Sequence, residues 1–229
     1  TNIKEVAEKY FADLPERSSF KPKPVKLLKQ TSPRVNVFYK KTDQVNVVLG
    51  VEAFDRYDKR KYAARVLAAI LGEGMSSRLF IQVRERRGLA YHVSSDFETY
   101  KDTGLFAAYA GLKLEKVMEG LTVIKAELER TVLEPVSDDE LKKAKEMIRG
   151  RLAIRVESTN FLAEYFGLNF VLDNEIETFE EYLKKIDAVT VADIQAVAKE
   201  LFQKQKYNLQ IIGPFKSSAN FEEVLCQMN

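Results

Sequence analysis

The sequence predicts an α+β fold in which a mostly antiparallel sheet is packed by several helices. Apolar and polar residues alternate within 35–53 and 90–100, as in strands that bury one face. Helical periodicity runs through 114–202, and one further strand pattern returns at 207–212. Strands that precede a block of helices are typical of α+β domains. The 229 residues, 45% of them hydrophobic, suffice for one or two packed domains.

The first 24 residues differ in character from the rest of the chain. Residues 3–14 predict a short amphipathic helix, which Pro15 ends. The following stretch, PERSSFKPKP, has the composition of a linker. We therefore expect residues 1–24 to be the end of a preceding half-domain plus a linker, and residues 25–229 to form the main domain. The chain starts without methionine or a signal pattern, so we expect a processed product or an excised fragment.

The first half of the main domain predicts two strands, a helix and a loop. The strands cover 35–40 and 45–53, and helical periodicity follows over 58–71. Glycines at positions 72 and 74 then break the helix, and Ser76 or Ser77 is suited to cap the next one.

Two more strands follow the glycine at position 88. Within 90–100, alternation places Tyr91 on the same face as Val93 and Phe97, and His92 on the opposite, polar face. Residues 103–111 are apolar on both faces, which predicts a central strand.

The helical region and the chain end carry recognisable boundary signals. Ser137 and Glu140 form a capping-box pattern, and Thr190 is suited to begin another helix. The last strand ends before Pro214, and a short helix is expected over 220–227.

Composition limits the partners that we expect. The chain has 36 basic and 34 acidic residues, so its balance gives no reason to expect nucleic acid or a membrane surface as a partner. No stretch approaches the roughly 18 apolar residues of a membrane-spanning helix. Cys226 is the single cysteine, which excludes an intrachain disulfide and suits a reducing compartment. We expect a cytoplasmic protein.

The residues by themselves reveal no self-contained catalytic site. One histidine and one cysteine form no metal-binding pattern, and the acidic clusters are interpreted as surface charge. No Gly-x-Ser-x-Gly turn presents a nucleophile, and the loop at 72–74 lacks both the phosphate-binding and the dinucleotide-binding patterns. Arg84 lies at the flank of an apolar stripe, and Tyr91 is expected to be a core tyrosine. Both are chemically suited to bind a peptide carbonyl.

One stretch of the chain closely resembles a known family. Its residues are Gly74-Met75-Ser76-Ser77-Arg78-Leu79-Phe80, Val83-Arg84-Glu85 and Arg87-Gly88-Leu89-Ala90-Tyr91. They resemble the carboxy-terminal, non-zinc-binding half-domain of the insulinase/pitrilysin-type inverzincin metallopeptidases, mitochondrial-processing-peptidase-like and of bacterial type. The segments 137–145 and 211–214 are similar to the family as well, and 6–15 looks like the end of the preceding half.

The resemblance implies a fold and a division of labour. Two halves of similar fold close like a clam shell, and zinc is bound by His-x-x-Glu-His in the other half. This chain would bind no metal, and its partner would be that complementary half, in the same native chain or in a separate subunit. Arg84 would hydrogen-bond the substrate backbone, and Tyr91 would position the scissile carbonyl or stabilise its oxyanion. Substrates would be unfolded peptides or presequence-like segments, which often add a strand to a sheet edge.

Three functions remain open at this point. The leading hypothesis is the substrate-binding half of a zinc-dependent endopeptidase, inactive without its complement. The second is a catalytically silent member of the family that acts as a scaffold. The third is a peptide-binding module without cleavage. The intact pair of Arg84 and Tyr91 favours the first.

Overall fold

A computed structural model describes residues 2–15, 23, 29–173 and 175–226. The five strands in this part of the chain are β1 (Arg34–Tyr39), β2 (Gln44–Ala53), β3 (Ala90–Thr99), β4 (Gly104–Lys113) and β5 (Asn208–Gly213). The α-helices in the same residues are α1 (Ile3–Phe11), α2 (Lys61–Gly72), α3 (Val117–Leu133), α4 (Asp138–Arg155), α5 (Thr159–Asp173), α6 (Phe179–Ala188), α7 (Val191–Leu201) and α8 (Ala219–Cys226). Short helical turns of other types cover Phe80–Glu85, Leu114–Lys116 and Lys204–Lys206. The predicted α+β class is confirmed.

The described strands form one sheet in the order β1-β5-β2-β4-β3. Only the outer pair β1–β5 is parallel, and the other three pairs are antiparallel, as the sequence predicts. The strand β4 lies between β2 and β3, which confirms the central position expected from its two apolar faces. The strand β3 is left at an edge of the sheet.

One face of the sheet packs against helices and forms the core. Buried side chains of β2 and β4 face α2, α3 and α7, as in Val47, Leu49 and Phe106. The opposite face carries exposed polar side chains, including Asn46 and Asp96. A sheet with one packed and one polar face explains the period-2 alternation in the sequence.

The helix α2 lies unusually close to β3. A side chain at Gly72 would collide with the backbone of Ser95, so only glycine allows this approach. The Ser95 hydroxyl is buried and donates to the carbonyl oxygen of Ala68 at 2.9 Å. The edge strand β3 is therefore fixed to the helix behind it.

The predicted helix starts are confirmed in the second half of the chain. Ser137 and Glu140 form a capping box at the start of α4, and Thr190 with Asp193 forms another at α7. A third capping box, which the sequence analysis did not identify, joins Thr178 to Glu181 at α6. Each box satisfies amide groups that a helix leaves unpaired at its first turn.

The helix expected near the chain start is confirmed as α1, and none of its residues is buried. The predicted boundary between residues 24 and 25, and most of the predicted linker, lie outside the described residues. The final predicted helix is α8, which packs through Phe221 and Leu225. Among the helices of the described residues, none has the length and apolar character needed to cross a bilayer.

Candidate functional site

The segment between α2 and β3 is wound as a π-helix over Phe80–Glu85. Its identifying hydrogen bond runs from the Arg86 amide to the Ile81 carbonyl oxygen, five residues back, at 2.9 Å. Val83 is buried and anchors the segment to the core. Because π-helical turns are rare and occur frequently at functional sites, this segment is the first candidate.

The π-helix presents Arg84 to solvent. Its guanidinium carbon lies 5.1 Å from the centroid of the Phe80 ring, in the range of a cation–π contact. Within the described residues the guanidinium has no hydrogen bond or ion pair, so its donors are available to a ligand. The sequence placed Arg84 at the flank of an apolar stripe, neither in the core nor fully outward, and the structure exposes it.

A left-handed glycine ends the π-helix and turns the chain toward β3. Gly88 has φ +59°, a conformation that glycine adopts without strain. Its amide donates to the Arg84 carbonyl oxygen at 3.1 Å, and the Leu89 amide donates to Val83 at 2.9 Å. The separation between Arg84 and Tyr91 is thus fixed by hydrogen-bonded backbone.

Tyr91 lies on a β-bulge at the start of β3. The register shifts between Ala90 and His92, so Tyr91 has no partner position on β4. The side chain of Tyr91 is 59% exposed. The sequence prediction of a core tyrosine on the Val93 face is therefore wrong, because the bulge inserts one residue and interrupts the alternation.

His92 follows Tyr91 and is exposed on the polar face, as predicted. Its Nε2 atom lies 3.2 Å from the Ser94 hydroxyl oxygen. The helix start expected at Ser76 or Ser77 takes a different form: the Ser77 hydroxyl donates to the Gly74 carbonyl oxygen at 2.8 Å.

An ion pair that the sequence did not predict joins the residues just before the π-helix to the helix α4. Arg78 donates through Nε and Nη2 to the two carboxylate oxygens of Glu140, at 2.6 and 3.0 Å. This pairing, with hydrogen bonds from Ser137, lowers the pKa of Glu140 to about 2, although partial burial opposes the shift. The sequence contained Glu140 as a helix cap, but no sequence signal paired it with an arginine 62 residues away.

A second carboxyl group lies buried under the same segment. Glu127 projects from α3, which packs against the π-helix, and is 8% exposed. Its Oε2 atom and the Nη1 atom of Arg78 are both buried without a hydrogen-bond partner in the described residues. Burial raises the pKa of Glu127, and the charges of Arg130 and Arg78 oppose that shift.

Comparison with known proteins identifies the family. The family model described as the peptidase M16 inactive domain matches residues 1–148, more than half of the chain. The chain belongs to the peptidase M16 inactive-domain family. The predicted resemblance to the non-zinc-binding half-domain of inverzincin peptidases is thereby confirmed.

Three of the proteins that this M16 domain resembles are bacterial proteins named as proteases. The chain is 37% identical over 183 residues to an uncharacterized zinc protease of Streptomyces coelicolor, covering 80% of this chain and 40% of that protein. It is 33% identical over 175 residues to the uncharacterized zinc protease YmxG of Bacillus subtilis, covering 76% and 42%. A crystal structure of a protease from Helicobacter pylori superposes with a TM-score of 0.80 at 25% identity, covering 93% and 53%. The chain therefore spans about half the length of these relatives or less.

The names of the relatives imply zinc, but the residues of this M16 domain do not fit a zinc site. Within the described residues, no group of three or more His, Cys, Asp or Glu is placed to hold a metal ion. The helix α2 contains none of these residue types. Glu73, directly after it, is held between the guanidinium groups of Arg65 and Arg151.

Proposed function

We propose that this M16 domain is the substrate-binding half of a zinc-dependent endopeptidase that cleaves unfolded peptides or presequence-like segments. One observation carries the proposal: Arg84 and Tyr91 are both exposed, and each lies on a backbone irregularity, a π-helix and a β-bulge. Such irregularities weaken regular structure and occur often beside active sites, where they direct a side chain.

Arg84 binds the peptide backbone in this proposal. A guanidinium has five donors in a planar fork, which suits carbonyl oxygens of an extended chain. Contact with the Phe80 ring restrains the side chain before the peptide arrives, so less conformational entropy is lost on binding.

Tyr91 acts on the scissile carbonyl. The phenol donates a hydrogen bond to the carbonyl oxygen and continues to do so as that oxygen becomes negative in the transition state. A donor that is held in place by the backbone needs little reorganisation during the reaction.

The edge strand β3 supports a peptide substrate. Backbone groups on its outer side are not paired with another described strand, so an extended peptide can add to the sheet there. Tyr91 begins this strand, which places the proposed carbonyl donor beside the proposed peptide path. Flexible chains can pair in this way, whereas folded proteins have no free extended segment to offer.

The complementary half supplies the metal and the general base in this proposal, either from the same native chain or from a separate subunit. The test combines this chain with a His-x-x-Glu-His half, cloned from DNA upstream of Thr1 or from an adjacent gene. We expect cleavage of an unfolded peptide by the combination, loss of cleavage with a chelator, and no cleavage by either half alone. Elemental analysis of this chain by itself should give no stoichiometric zinc.

Other results would favour the competing functions. A complex that forms but cleaves no peptide indicates a scaffold. Peptide binding without zinc-dependent cleavage indicates a binding module. Tight one-to-one zinc on this chain alone would contradict the division between the two halves.

A further inference from the structure

The helix α5 carries apolar residues around most of its circumference, yet none of its residues is buried. Glu164 and Asp173 are the only acidic residues in α5, which has no basic residue. A helix with apolar residues around its whole circumference is normally enclosed by protein. The composition of α5 therefore indicates a cover that the described residues do not supply.

One side of α5 already contacts the domain. Asp173 accepts from the Arg56 Nε atom at 2.8 and 2.6 Å, and the Asn169 side-chain oxygen accepts from Arg56 Nη2 at 2.6 Å. The Tyr165 ring lies 4.6 Å from that of Phe179, between centroids. Around the rest of the helix, Leu168, Phe170, Val171 and Leu172 are exposed, and Val171 lies on the side opposite Asn169.

Two glycines lie within helices where nothing in the described structure calls for a glycine. A side chain at Gly150 of α4 or at Gly167 of α5 would meet no atom within 4 Å. Glycine weakens a helix interior, so its presence usually has a packing reason. A missing side chain lets the backbone of another element approach closely.

An exposed apolar residue follows each glycine by four positions, on the same side of its helix. Ile154 follows Gly150 and is 73% exposed, and Val171 follows Gly167 and is 77% exposed. The two helices adjoin where the Arg155 guanidinium lies 4.3 Å from the Phe161 ring centroid. Each helix thus combines a notch with an apolar projection, which is suited to packing against another helix.

We propose that the α4–α5 surface, formed by Gly150, Ile154, Gly167, Leu168 and Val171, docks the complementary half of the peptidase. This inference rests on the proposed function. The length of the relatives indicates which partner docks on this surface, because the chain matches only 40% of the Streptomyces relative and 42% of the Bacillus relative. The unmatched remainder is large enough to be a second half.

The helix α1 gives the same indication at another place. Its apolar side chains Ile3, Tyr10 and Phe11 are exposed, and none of its residues is buried. Two helices whose apolar side chains have no cover in the described residues indicate a domain that functions in contact with another. On α5 this surface has no basic residue, and Arg151 and Arg155 lie beside Ile154 on α4. Its α5 part is apolar and fits a permanent interface rather than a transient one.

The test measures binding between this chain and the separately expressed His-x-x-Glu-His half by calorimetry. Val171→Glu should weaken the complex roughly a hundredfold, because a charge replaces a central apolar contact. Leu133→Glu is the matched control: Leu133 is 75% exposed but lies at the end of α3, and this change should leave the affinity unaltered.

Gly167→Leu separates docking from folding. Leucine favours helix, and a Cβ atom at this position meets no atom of the described residues within 4 Å, so the variant should raise the thermal stability of this chain. The same side chain fills the notch and should weaken the complex at least tenfold. If Gly167 had a purely structural role, one substitution would not both raise the stability of this chain and weaken its complex with the other half.

Wild-type affinity in both Val171→Glu and Gly167→Leu overturns the proposal. Self-association of this chain that Val171→Glu abolishes, with the complex unchanged, also overturns it and assigns the surface to a second copy. A complex that Val171→Glu weakens but that cleaves no peptide supports docking and refutes the proposed catalytic role. Cleavage that persists with unaltered affinity in Val171→Glu refutes docking and leaves the proposed function intact.

Discussion

Arg78 holds both carboxylate oxygens of Glu140, through Nε at 2.6 Å and Nη2 at 3.0 Å. The same carboxylate accepts from the Ser137 amide at 2.9 Å and so completes the cap of α4. The Glu140 side chain thus caps α4 and, through Arg78, also holds the segment that leads to Arg84. The position of the candidate site depends on an ion pair that joins distant parts of the chain.

Glu140→Gln should destabilise the protein by about 2 kcal/mol at pH 7, because the pair is only partly screened from solvent. The folded-state pKa of Glu140, about 2, lies below its usual value. A lowered pKa stabilises the fold above the usual value of 4.5, and this contribution disappears as pH falls toward 2. Urea unfolding at pH 7 and pH 3 measures the difference, which should shrink at the lower pH.

Glu146→Gln is the control on the same helix, since Glu146 is exposed. It should change the free energy of unfolding by less than about 0.5 kcal/mol at either pH. An equal loss in both variants at pH 7 would show that the Arg78 pairing contributes nothing specific.

Glu127→Gln should have the opposite effect and stabilise the protein by roughly 1 kcal/mol at pH 8. Burial raises the folded-state pKa of Glu127 above its usual value, so the ionised form is less favourable in the fold than in the unfolded chain. Stability is therefore lost as pH rises through the raised pKa. Unfolding at pH 4 and pH 8 should show the gain growing with pH, and a constant gain would indicate a solvated carboxyl.

Gly72→Ala and Gly150→Ala should change stability in opposite directions. At Gly72 the added methyl group meets the Ser95 backbone, so separating α2 from β3 should cost about 2 kcal/mol. At Gly150 the methyl group meets nothing, so better helix propensity should add about 0.5–1 kcal/mol. Thermal unfolding of both variants checks the pair, and a neutral Gly72→Ala would contradict the close packing.

The regular parts of the fold were predictable because their burial is periodic. Strand β2 buries alternate residues from Val45 to Val51, and β4 is apolar on both faces, so their patterns indicated a half-buried and a central strand. The caps at Ser137 and Thr190 were predictable because side chain and helix are neighbours in sequence.

The candidate site was less predictable because it departs from those periods. The bulge at Tyr91 inserts a residue, so a pattern of period 2 gives the wrong face for that side chain. The π-helix at Arg84 departs from the 3.6-residue period that the sequence pattern assumes. The pairing of Arg78 with Glu140 depends on tertiary structure that brings α4 to the segment. Family resemblance identified Arg84 and Tyr91 from local sequence, but no local sequence pattern indicated the π-helix and the β-bulge that carry them.

Tyr91→Phe should lower the turnover of the two-half enzyme roughly a hundredfold, the loss expected for one oxyanion donor. KM should change little, because the ring remains and the lost hydrogen bond strengthens mainly in the transition state. Tyr39→Phe is the matched control, since Tyr39 is a similarly exposed tyrosine on β1. Steady-state kinetics on an unfolded peptide measures both, and unchanged turnover in Tyr91→Phe defeats the proposed role.

Arg84→Ala should lower kcat/KM by roughly ten- to a hundredfold, chiefly through a higher KM, because the guanidinium binds backbone that is present in substrate and transition state alike. Arg84→Lys keeps the charge but loses the planar fork, so it should recover only part of that loss. Thermal stability should fall by less than about 1 kcal/mol, the size of the contact with Phe80. Arg86→Ala, in the same exposed turn, should leave the kinetics unchanged. A cooperative loss of folding in Arg84→Ala, with normal kinetics in the molecules that remain folded, would assign Arg84 to structure instead of substrate binding.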